Sequence, residues 1–129
     1  MIVGVGADIV EIERMRRLLG RFGDRAASRI LAPEELGAFA ESRAPDRLLA
    51  KRFAAKEAFG KAVGIGLREP ATLRNLAVCH DELGRPSFRY AAPLAQLMRE
   101  RGWAAHLSVS DDGGMAAAFV VLESAGNTG

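Results

Sequence analysis

Glu57 and Lys61 stand four residues apart in the stretch RFAAKEAFGKAVGIG, residues 52–66. On a helix that spacing puts both side chains on one face. A carboxylate there could hold Mg²⁺, and the ammonium beside it could meet a phosphate. The same spacing also describes an ordinary surface ion pair. One turn earlier the face carries Ala54 and Ala50, small enough to let a ligand approach. Arg52 and Lys56 lie on neighbouring faces and make the segment electropositive. A second carboxylate, Asp8, follows Gly4 and Gly6 at a spacing of two. In a strand these three share a face, and the glycines leave room for a ligand. Asp8 could hold a metal. With Glu11 it could equally open a helix as a variant of the capping box.

His106, Ser108 and Ser110 alternate with Leu107 and Val109. In a strand the polar set would share one face and the apolar pair would turn to the core. That polar face suits a phosphate or a ribose, and it suits a solvated sheet surface as well. Six arginines, Arg14, Arg16, Arg17, Arg21, Arg25 and Arg29, crowd one early stretch. They could meet an acidic protein, a phosphate-rich ligand or nucleic acid, or form a solvated helix face.

The elements that must position these groups follow from periodicity. Residues 2–10 read as a buried strand, with Val3, Val5, Ala7 and Ile9 on one side and Gly4, Gly6 and Asp8 on the other. A helix is predicted from Ile9 to Leu19, ended by Gly20, and a short one from Pro33 to Ser42. The segment Asp46 to Val63 is rich in good helix formers, and Gly64 and Gly66 end it. Residues 75–90 read as a hairpin, Pro93 to Arg101 as a helix, and AHLSVS and MAAAFVVLE as a second hairpin around DDGG. The order β-α-α-α-β-β-α-β-β makes the class α+β, with a small antiparallel sheet and one long helix packed on it. A single domain over residues 1–123 is expected, with 124–129 a frayed tail.

Composition narrows the function classes. The chain of 129 residues carries 18 basic and 16 acidic residues, a net charge of +2. Its one cysteine, Cys79, cannot pair within the chain and fits a reducing compartment. The N-terminus MIVGVGADIV lacks the pattern of a signal peptide. No apolar run approaches the ~18 residues of a membrane span. A cytoplasmic protein is the expectation. A Walker phosphate loop, zinc-binding CxxC or HExxH, and a GxSxG nucleophile are absent from the sequence. Aromatic residues make up 6% and show no stacking pattern, and the basic residues form no single tract. Both argue against a nucleic-acid-binding module.

Four segments together resemble the holo-[acyl-carrier-protein] synthases of the 4′-phosphopantetheinyl transferase superfamily. GVGADIVEIERM at 4–15 resembles the family's first signature, a strand ending in Asp followed by Glu and Arg on a helix. Lys56, Glu57, Ala58, Lys61, Ala62, Gly64 and Gly66 match its second, KEAxxKAxGxG. ELGRPSF at 82–88 is similar to its Gly-Arg/Lys-Pro turn, and HLSVS at 106–110 to its histidine-containing last hairpin. The resemblance runs over nearly the whole chain. It departs after Ser110, where the family often has Thr-His or Ser-His and this chain has Asp111 and Asp112.

The resemblance implies transfer of phosphopantetheine from coenzyme A to a serine of apo acyl carrier protein, in support of fatty acid or polyketide assembly. It implies Mg²⁺ on Asp8 and Glu57, phosphate contact by Lys61, and coenzyme A contacts from Arg52, Lys61, Gly64, His106 and Ser108. Glu57 is the candidate to take the serine's proton. The family's short bacterial members imply a homotrimer with active sites between subunits. Carrier proteins are acidic, and helical spacing puts Arg14, Arg17 and Arg21 on one face with Leu18 beside them and Phe22 at its end. That face is the expected carrier-docking surface.

Overall fold

The structure is a computed structural model and describes residues 1–125. Among them, strand β1 (Ile2–Glu11) leads into helices α1 (Ile12–Phe22) and α2 (Asp24–Ile30). A 3-10 turn at Pro33–Glu35 precedes α3 (Leu36–Glu41), and the long α4 (Pro45–Val63) follows. A second 3-10 turn, Leu73–Asn75, leads to the hairpin β2 (Leu76–His80) and β3 (Pro86–Tyr90). Helix α5 (Ala92–Arg101) and the hairpin β4 (Trp103–Asp112) and β5 (Met115–Ser124) complete the chain. The class is α+β. One antiparallel sheet has the order β1-β5-β4, and β2-β3 forms a separate pair.

Helix α4 lies across the three-stranded sheet, and glycines set how closely. A Cβ at Gly6 would overlap the Ala58 carbonyl oxygen and stand 2.8 Å from the Ala62 nitrogen. One at Gly4 would overlap the Ala62 oxygen. These glycines therefore admit a helix backbone, and the expectation that they leave room for a ligand is overturned. Ala50 and Ala54 are likewise fully buried, facing the core and not a ligand. Around them Leu49, Ala58, Phe59, Val120 and Leu122 form the centre of the core.

The period of two along β1 is observed, and the side that carries Gly4 and Gly6 is the one turned toward α4. Gly6 and Val10 face inward, while Val5 and Ile9 are 66% and 65% exposed. Because β1 needs its small residues under α4, its bulky ones point away. Helix α1 runs through Gly20 to Phe22 and ends at Gly23, whose φ of 59° suits glycine. Helix α2 is absent from the sequence expectation. Seven residues are too few to hold a helix alone, and burial of Ala26, Ala27 and Ile30 stabilises it. Ser124, expected in the tail, pairs with Trp103 as the last residue of β5, and its backbone N–H donates to Met1. Residues 126–129 of that expected tail lie outside the described residues.

Lys56 contributes nothing to an electropositive surface, because its side chain is fully buried. Its ammonium donates to the carbonyls of Ile30 at 2.8 Å and Leu73 at 3.0 Å, and to Glu35. Glu35, also buried, accepts from the N–H groups of Ala32 and Val78 and from Arg52 at 3.0 Å. Burial pushes the Lys56 pKa down from its usual range, with Glu35 opposing. The network ties α4 to the end of α2, both 3-10 turns and β2 without leaving a buried polar side chain unpaired.

Candidate active site

Close packing of β1 on α4 brings together two carboxylates that lie far apart in sequence. Asp8 sits within β1 and accepts from the Lys61 ammonium at 3.1 Å. The same ammonium donates to the Ala7 carbonyl at 3.0 Å. Asp8 caps no helix, since α1 starts at Ile12 with Glu11 at its N-cap. Glu57 projects from α4 toward the same place. Its carboxyl is held above the usual range by burial first and by the Asp8 charge second, against the pull of Lys61 and Arg14. Arg14 reaches in from α1, its guanidinium 5.5 Å over the Phe53 ring one helical turn before Glu57. At the end of α4, Gly64 adopts the left-handed conformation, with φ 93°. The N–H groups of Gly64 and Gly66 both donate to the Gly60 carbonyl. A Cβ at Gly60 would stand 2.7 Å from the Gly66 backbone, so this glycine lets the loop fold back beside Lys61.

Two carboxylates that repel each other across a strand and a helix are a suitable pair for a divalent cation. Among the described residues no third His, Cys, Asp or Glu joins them. Mg²⁺ suits such a set, because it keeps several waters and takes phosphate oxygens beside one or two carboxylates.

The other expected site residues lie elsewhere in the chain. Register places His106 opposite Val121 and Ser108 opposite Phe119, which in turn oppose Val5 and Ala7. His106 and Ser108 therefore sit on the sheet face away from α4 and from the carboxylates. His106 Nε2 lies 2.9 Å from Glu123. Arg52 leaves α4 on the flank facing β2, held by Glu35. There it lines a cleft of about 230 Å³ with Ser42, Arg47, Lys51 and His80. Asp111, in β4, lies 3.3 Å from Arg47 and 3.5 Å from Lys51. Arg17, Arg21 and Phe22 are exposed on α1, with the Arg21 guanidinium over the Phe22 ring, while Leu18 between them is half-buried against the core.

The model of the 4′-phosphopantetheinyl transferase superfamily matches residues 4–120. A holo-[acyl-carrier-protein] synthase of Aromatoleum aromaticum is 55% identical over 123 residues, spanning 95% of this chain and 98% of that protein. This chain belongs to that superfamily. Within it, the crystal structure of the holo-[acyl-carrier-protein] synthase from Neisseria meningitidis superposes with a TM-score of 0.92 at 48% identity, covering 95% of this chain and 99% of that one. The Bacillus anthracis holo-(acyl-carrier-protein) synthase, solved in complex with CoA (3′,5′-ADP), gives 0.79 at 34% identity, covering 96% and 98%. Superfamily membership makes the chain a phosphopantetheinyl transferase and removes the reading as a binding module without catalysis.

Sequence reasoning missed three parts of the site. Arg14, expected on the docking face with contact to a phosphate-rich ligand as the alternative, faces Glu57, because α1 crosses α4 at Phe53. Gly60 carried a signal, a glycine inside a strong helix pattern, which marks a close backbone approach. The basic cleft carried only the i, i+4 spacing of Arg47 and Lys51, since His80 and Asp111 join them through tertiary packing.

Proposed function

We propose that the chain transfers the 4′-phosphopantetheine group from coenzyme A to a serine of apo acyl carrier protein. The observation that carries this is the Asp8–Glu57 carboxylate pair with Lys61 beside it, at the packed junction of β1 and α4. Asp8 and Glu57 would hold Mg²⁺, which supplies positive charge to the pyrophosphate when bound. Lys61 and Arg14 add charge to the phosphate oxygens and orient them. Glu57, beside the attacked phosphate, accepts the proton of the serine hydroxyl. The serine oxygen bonds to the phosphorus next to the pantetheine arm, the bond from that phosphorus to the bridging oxygen breaks, and adenosine 3′,5′-bisphosphate leaves.

The outer sheet face supports assembly. Val5, Ile9 and Phe119, the last 62% exposed, form an apolar surface there, flanked by His106 and Ser108. A homotrimer would cover this surface and carry the His106 face and the Arg52 cleft of one copy toward the carboxylates of another. The carrier would dock on α1 through Arg17, Leu18, Arg21 and Phe22, with Arg14 at the junction of dock and site. Beside them a pocket of about 240 Å³, lined by Leu18, Phe22, Arg25 and Arg29, offers an apolar floor with a basic rim for an acidic helix. No helix of the described residues is long and apolar enough to cross a membrane. We place the protein in the cytoplasm, where its carrier and coenzyme A would be found.

Incubation with coenzyme A, Mg²⁺ and apo carrier tests the reading. It requires a mass gain of one phosphopantetheine on a carrier serine, lost on chelation and restored by Mg²⁺. A carrier unchanged in mass under all conditions would overturn it.

A further inference from the structure

The cations lining the cleft between α4, β2 and β4 are held in two different ways. Arg52 is committed to buried Glu35 at 3.0 Å, with 11% of its side chain exposed. Arg47 and Lys51, one turn apart on α4, share a single carboxylate, Asp111. Their separations of 3.3 and 3.5 Å exceed the roughly 2.7–2.9 Å of a charge-assisted hydrogen bond. Asp111 thus screens the pair without locking it. The cleft's lining holds Arg47, Lys51 and Arg52 and no carboxylate, Asp111 standing beside it, which leaves the cleft positive. His80 also lines the cleft, where partial burial lowers its pKa first, Arg52 and Lys51 lower it further, and Asp81 opposes them.

A phosphate monoester brings more negative charge and more acceptor oxygens than a carboxylate, and it could engage the same two cations. The backbone that carries Asp111 is fixed in the sheet, opposite Ala116. The β4–β5 turn that follows is anchored by the Ile12 N–H donating to the Gly114 carbonyl at 2.9 Å. Carboxylate and phosphate would then compete for Arg47 and Lys51. We propose that Asp111 is an internal counter-anion that weakens the cleft's hold on the 3′-phosphate of the donor, and so acts through Arg47 and Lys51 as an affinity-setting residue. This rests on the transferase reading above. It also gives a role to the acid standing where the family often carries histidine.

Asp111→Asn should lower the Michaelis constant for coenzyme A by about three- to fivefold, the range of a partly exposed ion pair. It should leave that for 3′-dephospho-coenzyme A unchanged, because that donor lacks the monoester. Asp112 is the control. It lines a depression with Arg47 and Asp111 but forms no ion pair among the described residues, so Asp112→Asn makes the same change in net charge while leaving the paired carboxylate in place. Lys51→Gln should act in the opposite sense, raising the constant for coenzyme A alone. Calorimetric binding of adenosine 3′,5′-bisphosphate should tighten in Asp111→Asn by the same factor. An unchanged or raised coenzyme A constant would overturn the proposal, as would an equal fall with both donors or an equal effect from Asp112→Asn. If the native chain transfers nothing, the functional reading fails instead. The calorimetric comparison then still judges Asp111, since it needs no turnover.

Discussion

Two lysines five positions apart on α4 should fail in opposite ways when each is changed to methionine. Lys56 is buried and donates to Ile30, Leu73 and Glu35. Methionine keeps most of its volume, so the loss is electrostatic. Breaking a buried ion pair costs about 3–5 kcal/mol. Glu35 keeps Arg52 and two backbone N–H groups, which places this case near the lower end, about 3 kcal/mol. For a chain of this size each kcal/mol lowers Tm by about 3 °C, so Lys56→Met should melt roughly 10 °C lower. Its transfer rate, measured well below that melt, should stay within about threefold of native, because the network touches no reacting group. Lys61 is half exposed and bridges Asp8 and the Ala7 carbonyl. Lys61→Met should move Tm by no more than about 2 °C, yet lower transfer about 100-fold or more through lost charge at the phosphates. Melts followed by circular dichroism at one fixed protein concentration, beside transfer rates, decide the matter, since association also shifts Tm. A Lys56→Met protein with a native melt and lost transfer would refute the structural assignment of that lysine.

Glu57→Gln should abolish most transfer, by about 100-fold or more. Without metal it should melt at or above the native protein at neutral pH. A carboxyl whose folded pKa is raised contributes stability when protonated and loses it as pH rises, so the difference should vanish below its ordinary 4.5; a lower melt at neutral pH would contradict this. Gly6→Ala sets a Cβ against the backbone of α4 at Ala58 and Ala62, and overpacking of this kind costs about 1–3 kcal/mol. It should reduce both Tm and transfer, and a protein active at the native level would show that the spacing of β1 and α4 is not critical. Arg21→Glu should raise the Michaelis constant for carrier but not for coenzyme A, less so at high salt, whereas a change confined to coenzyme A would move Arg21 into the nucleotide site. Arg14→Glu should affect both constants, since Arg14 faces Glu57 as well as the docking helix.

The sequence by itself determined what local spacing can express. Helix formers from Asp46 to Val63 followed by Gly64, two alternating runs around DDGG, and the placing of Glu57 and Lys61 on one helical face all depend on residues within a few positions of each other. The structure keeps each of them, and two of the four family signatures, KEAxxKAxGxG and HLSVS, sit on these same segments. Tertiary structure decided sidedness. Alternation in β1 defines two faces, but it does not say which one a helix will cover. The answer came from α4, about fifty residues away, whose backbone approaches too closely for anything larger than Gly4 and Gly6. The same contact turned Val5 and Ile9 outward and set Asp8 against Lys61. Lys56 and Lys61 look alike in sequence, and only the meeting of α4 with Glu35 buried one of them. Asp111 met Arg47 and Lys51 for a like reason. Charge in a sequence has no direction until packing determines which charges share a low-dielectric space and which remain in water.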